Sequence, residues 1–278
     1  MRSIPTRLRA TTLRAARLRA AILVLPIALA VSAGCDIAMA DFAERETTEW
    51  RKSYELSPGG RVEIGNVNGR IRVHTGEGNT VEVVALKSAR AANVAAAKQT
   101  LGRIQIRESS TPDGITIDTQ IERSGSSFFN HSNWQVEYTV RVPASANVKL
   151  STVNGGVEVT GVSGRVVAEA TNGGITARGI TGAIEASTTN GGVDVELAKI
   201  DQGGATLECT NGGIMLGLPA GAGATLSARV TNGGINTGGL SIATRGDNSK
   251  RRLDGVLHGG GPRISMACTN GGIELVTR

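Results

Sequence analysis

Asn-Gly-Gly recurs six times in the C-terminal half of this 278-residue chain, with the asparagine at positions 154, 172, 190, 211, 232 and 270. Five copies follow a threonine (Thr171, Thr189, Thr210, Thr231 and Thr269), and every copy is followed by Val or Ile. The intervals are 18, 18, 21, 21 and 38 residues, and the last equals two intervals of 19, as if one unit had lost its signature. A single Asn-Gly is a turn signal; six copies at a nearly fixed period describe a repeat architecture.

Aligned on the asparagine, the flanks alternate. Six, four and two residues before it stand Val148, Leu150 and Thr152, then Val166, Ala168 and Ala170, and equivalent small or apolar sets up to Ile264, Met266 and Cys268, while the intervening positions carry Lys149, Glu169, Glu185, Glu208 and Arg229. That is a strand with one buried face. After the turn, the third and fifth positions are apolar again, as in Val157 and Val159 or Ile214 and Leu216. The buried parity therefore switches across Gly-Gly, as a sharp corner between two short strands requires.

Two topologies accommodate strand, corner, strand. Asn-Gly favours a tight hairpin and hence an antiparallel meander, but a meander gives no reason for every corner to match. In a parallel β-helix, or solenoid, each coil places its corner about 4.8 Å from the last, so that Asn154, Asn172, Asn190, Asn211, Asn232 and Asn270 stack in a structural corner ladder of amides. The expected fold is all-β: a parallel β-solenoid of about 18–21 residues per coil over residues 146–278, interrupted by an irregular insertion at 241–263. Residues 41–145 are expected to form a β-rich section, with one short helix near 88–102 capped by Ser88. In this section Asn68-Gly69-Arg70-Ile71 resembles a degenerate corner.

The 30 Lys and Arg against 24 Asp and Glu give a net charge of +6, but six arginines lie in the first 19 residues. They precede an apolar run, Ala20 to Ala33, and small residues at Ala38 and Ala40, the pattern of a secretory signal occupying residues 1–40. Its removal takes away those six basic residues and Asp36, leaving 24 against 23, and with the excess charge goes the electrostatic case for a nucleic-acid partner. Ser32-Ala33-Gly34-Cys35 resembles a lipobox, so attachment to a membrane would follow only from lipidation of Cys35; with Ser where Leu is usual, soluble export is favoured. The expected location is periplasmic, cell-surface or secreted. Cys209 and Cys268 remain; stacking in sequence order would put the coil of Val230 between them, their α-carbons at least about 9.6 Å apart, too far for a disulfide.

"YTVRVP" leading into "VKLSTVNGGVEVTGVSGRVVAEATNGGI", with the later NGG corners, resembles the bacterial putative-adhesin family, exported β-strand-repeat domains of unknown function. The resemblance covers roughly Arg61 to Arg278. It implies a parallel β-helix in the envelope or outside the cell, and it brings no catalytic residues.

Little in the chain suggests catalysis. Glu158 and Asp194 would stand two coils apart on one row, about 9.6 Å, near the separation of an inverting glycosidase pair, and this keeps a carbohydrate-active β-helix enzyme as the alternative reading. Three scattered histidines form no zinc motif, and the glycines match no phosphate loop, so no metal or cofactor is expected. The threonines before five of the asparagines are expected to form a hydroxyl ladder. Arg245, Asp247, Lys250, Arg251 and Arg252 lie in the longest irregular stretch and form the candidate interaction loop. The function expected is that of a non-enzymatic envelope or surface scaffold that contacts protein or glycan.

Overall fold

The structure is a computed structural model that describes residues 44–122, 133–246 and 248–278, all within one compact unit, Asp41–Arg278. The expectations for the leader, for Cys35 and for Asp247 lie outside the described residues. The first strands are β1 (Glu44–Glu55), β2 (Arg61–Asn68), β3 (Ile71–Gly76) and β4 (Thr80–Ala91); after helix α1 (Val94–Arg103) come β5 (Ile104–Thr111), β6 (Gly114–Ile121) and β7 (Asn133–Pro143). Strand pairs joined by the NGG corners follow: β8 (Asn147–Asn154) with β9 (Val157–Thr160), β10 (Val166–Asn172) with β11 (Ile175–Ile180), β12 (Ile184–Asn190) with β13 (Val193–Leu197), β14 (Ala205–Asn211) with β15 (Ile214–Leu218), and β16 (Ala224–Asn232) with β17 (Ile235–Asn236). The last four strands are β18 (Ile242–Thr244), β19 (Arg252–Leu257), β20 (Arg263–Asn270) and β21 (Ile273–Thr277).

The fold is all-β with one helix, and its strands gather in two large mixed sheets, neither closed on itself. One has ten strands in the order β1-β4-β7-β3-β9-β11-β13-β15-β21-β17, the other eleven in the order β18-β19-β16-β20-β14-β12-β10-β8-β2-β6-β5. The middle of each sheet is parallel and in register, so that Asn68, Asn154, Asn172, Asn190, Asn211, Asn270 and Asn232 stand opposite one another in turn. Antiparallel pairs flank these runs: β1 with β4, β4 with β7, β5 with β6, and β16 with β19. The core between the sheets is filled by the alternating positions read from the sequence, among them Val148, Leu150, Val157, Val159, Leu207 and Leu216, all buried.

Each corner is continuous with the sheets. In every corner but that of Asn232, which lies at the end of the run, the first glycine's N–H donates to the asparagine carbonyl of the neighbouring unit, as from Gly155 to Asn172 at 3.0 Å and from Gly191 to Asn211 at 2.9 Å. The residue after the second glycine donates similarly, Val193 to the Gly213 carbonyl at 2.8 Å. The ladder runs through the bend.

Four local expectations need correction. The helix begins at Val94, with the Asn93 side chain accepting from the Ala96 N–H at 2.8 Å, while Ser88 is buried within β4. Pairing with β1 holds β4 extended to Ala91, and a long-range partner outweighs alanine's helix preference. The stretch 241–263 is a pair of antiparallel strands carrying buried Leu253, Val256 and Leu257, so the 38-residue interval holds a hairpin where a lost coil was expected. Because β19 takes the outer edge of β16, the C-terminal unit β20–β21 slots between β14 and β16, and the last two units stack out of sequence order. Cys209 and Cys268 are consequently direct neighbours in register, with no coil of Val230 between them; both are buried free thiols. The threonines before the asparagines are exposed, and the bonding row lies one residue earlier. Thr152 and Thr188 donate to the carbonyls of Gly69 and Gly173, and the Cys209 thiol donates to that of Gly191 at 3.1 Å.

Candidate functional site

The two glycines of each corner answer to different constraints. At the first, a side chain has no room: a β-carbon on Gly191 would lie 2.3 Å from the Gly173 carbonyl oxygen, and one on Gly212 would lie 2.0 Å from that of Gly191. Their φ angles, +151° and +150°, also lie outside the range favoured by residues with side chains. The second glycine has no such angle, and a β-carbon on Gly174, Gly192 or Gly213 would stand 3.3 to 3.5 Å from its nearest neighbour. In the corner of Asn68 this second place is held by Arg70, with the same ladder bonds around it. The backbone demands the first glycine and only permits the second.

What the second glycines do is shape the surface. Gly174, Gly192, Gly213, Gly272 and Gly234 form the floor of an open groove of about 610 Å³ that runs across five neighbouring strands of the ten-stranded sheet. Strands about 4.8 Å apart give it a length of about 19 Å. One wall is the outward row Thr176, Asp194, Met215, Glu274 and Asn236, set in that order by the strand register. Arg178 donates to both Asp194 carboxylate oxygens, through Nη1 at 2.7 Å and through Nη2. This bond is the main cause that raises the guanidinium above its already high range. Glu274, two strands away, has no ion pair among the described residues. A second concavity, of 470 Å³, carries the same face past Gly156 to Arg70, Arg72 and Trp134.

Along the adjoining corner runs the amide ladder. Asn154 donates to Asn68, Asn172 to Asn154, Asn190 to Asn172, Asn211 to Asn190, Asn270 to Asn211 and Asn232 to Asn270, each at 2.8 to 2.9 Å. Every amide between the two ends, Asn68 and Asn232, has its oxygen and one N–H committed to its neighbours, so the row is scaffold for the groove and its glycines.

None of the described loop residues chosen from sequence lines the groove, although the turn at Lys250 abuts its end at Gly234. Arg245 is exposed near β18, Lys250 and Arg251 are exposed in the turn before β19, and Arg252 pairs with Asp254 at 2.8 Å. The turn also has a structural duty: the Arg251 and Lys250 carbonyls accept from Val230 and Ile235 at 2.8 and 2.9 Å. Glu158 and Asp194 do share a row, with Thr176 between them. Glu158 faces Arg72 at 3.7 Å, and its side chain and that of Asp194 are 48% and 35% exposed. Neither sits in the apolar pocket in which a carboxyl group becomes a general acid. Sequence reasoning missed the second glycines as the lining of one groove; the signal that could have found them is Arg70, a large side chain tolerated where the other units keep glycine.

No family model and no curated protein matches the chain. Among described residues, no helix is long and apolar enough to cross a membrane. Among solved structures, the chain is similar to a putative cell adhesion protein from Clostridium sporogenes, with 12% identity and a TM-score of 0.48, over 83% of this chain and 100% of that one. It is similar to a putative adhesin from Bacteroides fragilis with 9% identity and a TM-score of 0.37, over 83% and 97% of the two chains. With a putative adhesin from Parabacteroides distasonis the identity is 11% and the TM-score 0.26, over 82% and 97%. These structures carry the names of a putative cell adhesion protein and putative adhesins.

Proposed function

We propose that the chain is a non-enzymatic, adhesin-like binding module whose glycine-floored groove receives an extended glycan. One observation carries this reading: five second glycines that the backbone does not require all lie on the floor of one groove, where any side chain would fill it. The charge of the wall favours a neutral or amino-sugar chain over an acidic one, since Asp194 and Glu274 are carboxylates and Arg178 is already engaged by Asp194. Carboxylates and the amide of Asn236 suit hydroxyl and amine donors. Binding without turnover is favoured by the engagement of Glu158 and Asp194 with the arginines Arg72 and Arg178.

In this reading the parallel middle of the two sheets acts as a β-solenoid, supported by the in-register asparagine ladder, with its last two coils transposed. Export to the periplasm, the surface or the medium rests on the leader pattern of residues 1–40, and anchoring would need lipid on Cys35.

The test is a polysaccharide array probed with the wild-type protein and with Gly192→Arg and Gly213→Arg, which place in the groove the residue type that position 70 already carries. Binding to neutral or amino-sugar chains is expected from the wild type, and its loss from variants whose circular dichroism and melting temperature are retained. Wild-type binding that survives both substitutions would remove the groove as the site; Gly213→Ser serves where an arginine variant fails to fold.

A further inference from the structure

The edges of the two sheets are unequal. At one end the edge strands β17 and β18 have two and three residues, lengths that offer another chain almost nothing to pair with. At the other end of the ten-stranded sheet, β1 runs for twelve residues against β4 with no break in register. It contains no proline, and its terminal place leaves its far side without a strand partner among the described residues. Long unbulged edges of this kind recruit another strand unless something blocks them.

The geometry states which residues face that side. The Leu56 N–H donates to the Asn79 carbonyl at 2.9 Å, continuing the β1–β4 register. The even-numbered residues of β1 therefore turn their backbone groups toward β4, and the odd-numbered ones turn theirs outward. Arg45, Thr47, Glu49, Arg51, Ser53 and Glu55 present this free ladder, and all six are exposed.

We infer that this edge is an interface for a second copy of the chain, the two β1 strands pairing antiparallel about a twofold axis at Trp50. Charge selects both the partner and the register. With the axis at Trp50, Arg45 meets the partner's Glu55, Thr47 the partner's Ser53, and Glu49 the partner's Arg51, each contact occurring twice. On the other face Trp50 packs on the core and Lys52 and Tyr54 are held by Glu108 of β5, so it is the odd-numbered side chains that set the register. Moving the axis to residue 49 puts Glu49 against Glu49, and moving it to residue 51 puts Arg51 against Arg51. Shifts to 48 or 52 oppose Arg45 with Arg51, or Glu49 with Glu55. The pairing at Trp50 alone among these is free of like charges, and like charges directly opposite destabilise a strand pair. An isologous interface of this kind is closed, ending at two copies.

Sedimentation velocity and light scattering of the full chain, over micromolar to hundred-micromolar concentrations, test the inference. A monomer–dimer equilibrium is expected. Glu49→Arg and Arg51→Glu should each raise its dissociation constant by about tenfold or more, since the axis counts every substitution twice. The double variant E49R/R51E should return it to within about threefold of the wild type, because the exchanged charges again meet opposites. A chain that stays monomeric throughout overturns the inference. So does a dimer indifferent to the single reversals, and so does a double variant no better than the singles. Circular dichroism keeps loss of folding apart from loss of pairing, and the rescue itself cannot arise from unfolding.

Discussion

Replacing each glycine of one corner by alanine separates what the backbone requires from what the surface uses. Take the corner between β14 and β15. In Gly212→Ala the new β-carbon would sit 2.0 Å from the Gly191 carbonyl oxygen and 3.2 Å from the Cys209 sulfur, at φ +150°. Relief demands that one coil move away from the next by more than an ångström. That coil is tied by the Gly191-to-Asn211 and Gly212-to-Asn270 bonds, both 2.9 Å. Backbone strain and overpacking together should cost about 3–5 kcal/mol. In Gly213→Ala the contact is 3.3 Å, to the Gly272 oxygen, at an ordinary φ. A displacement of a few tenths of an ångström is then opposed by the about 0.4–1 kcal/mol that alanine contributes through the unfolded chain, for a net effect within about 1 kcal/mol of zero. Urea unfolding of both variants, compared at constant m, reads the difference directly. Equal losses would refute the reasoning: the second glycine would then be a backbone necessity, and its place on the groove floor would need no function.

Three further outcomes are expected. Asn211→Ala breaks the amide ladder on both sides, at 2.9 Å to Asn190 and 2.8 Å from Asn270, and in this exposed row should cost about 1 kcal/mol by urea midpoint; a loss below about 0.3 kcal/mol would show that water replaces the ladder at no cost. Burial pushes the Cys209 thiol up to about 11 and the Tyr138 hydroxyl up to about 12. Both folded values lie above the unfolded ones, so the stability they contribute is complete below about pH 8.5 and is lost as pH rises toward 12; a urea midpoint that holds level from pH 8 to 11 contradicts this. Reversing Lys250, Arg251 and Arg252 to glutamate should cost less than about 1 kcal/mol, whereas deleting them removes the carbonyls that hold Val230 and Ile235 and should lower the melting temperature sharply. Equal melting temperatures for the two variants would show that the turn is dispensable.

Much of this protein is legible locally. The alternation of Val148, Leu150 and Thr152 against Lys149 and Ser151 assigns a strand and its buried face, because successive side chains point to opposite sides whatever the strand pairs with. The first glycine of each corner likewise follows from local sterics, and identical corners at a regular period place one asparagine opposite the next. Partner choice is another matter. Nothing in the residues of β20 says that it lies between β14 and β16: the alternation and corner of the Asn211 unit are the same whether its neighbour is the unit of Asn232, 21 residues on, or that of Asn270, 59 residues on. The order was decided by β19, which occupies the outer edge of β16 and leaves only the inner one open. Ser88 stayed in a strand because β1 pairs with β4 through Ala91. The groove exists only because five second glycines, spread over almost 100 residues of chain from 174 to 272, were brought into line. Sequence determined the shape of a single coil through short-range sterics and period, and tertiary structure decided which coils are neighbours, because strand pairing is a long-range competition for edges that no single unit encodes.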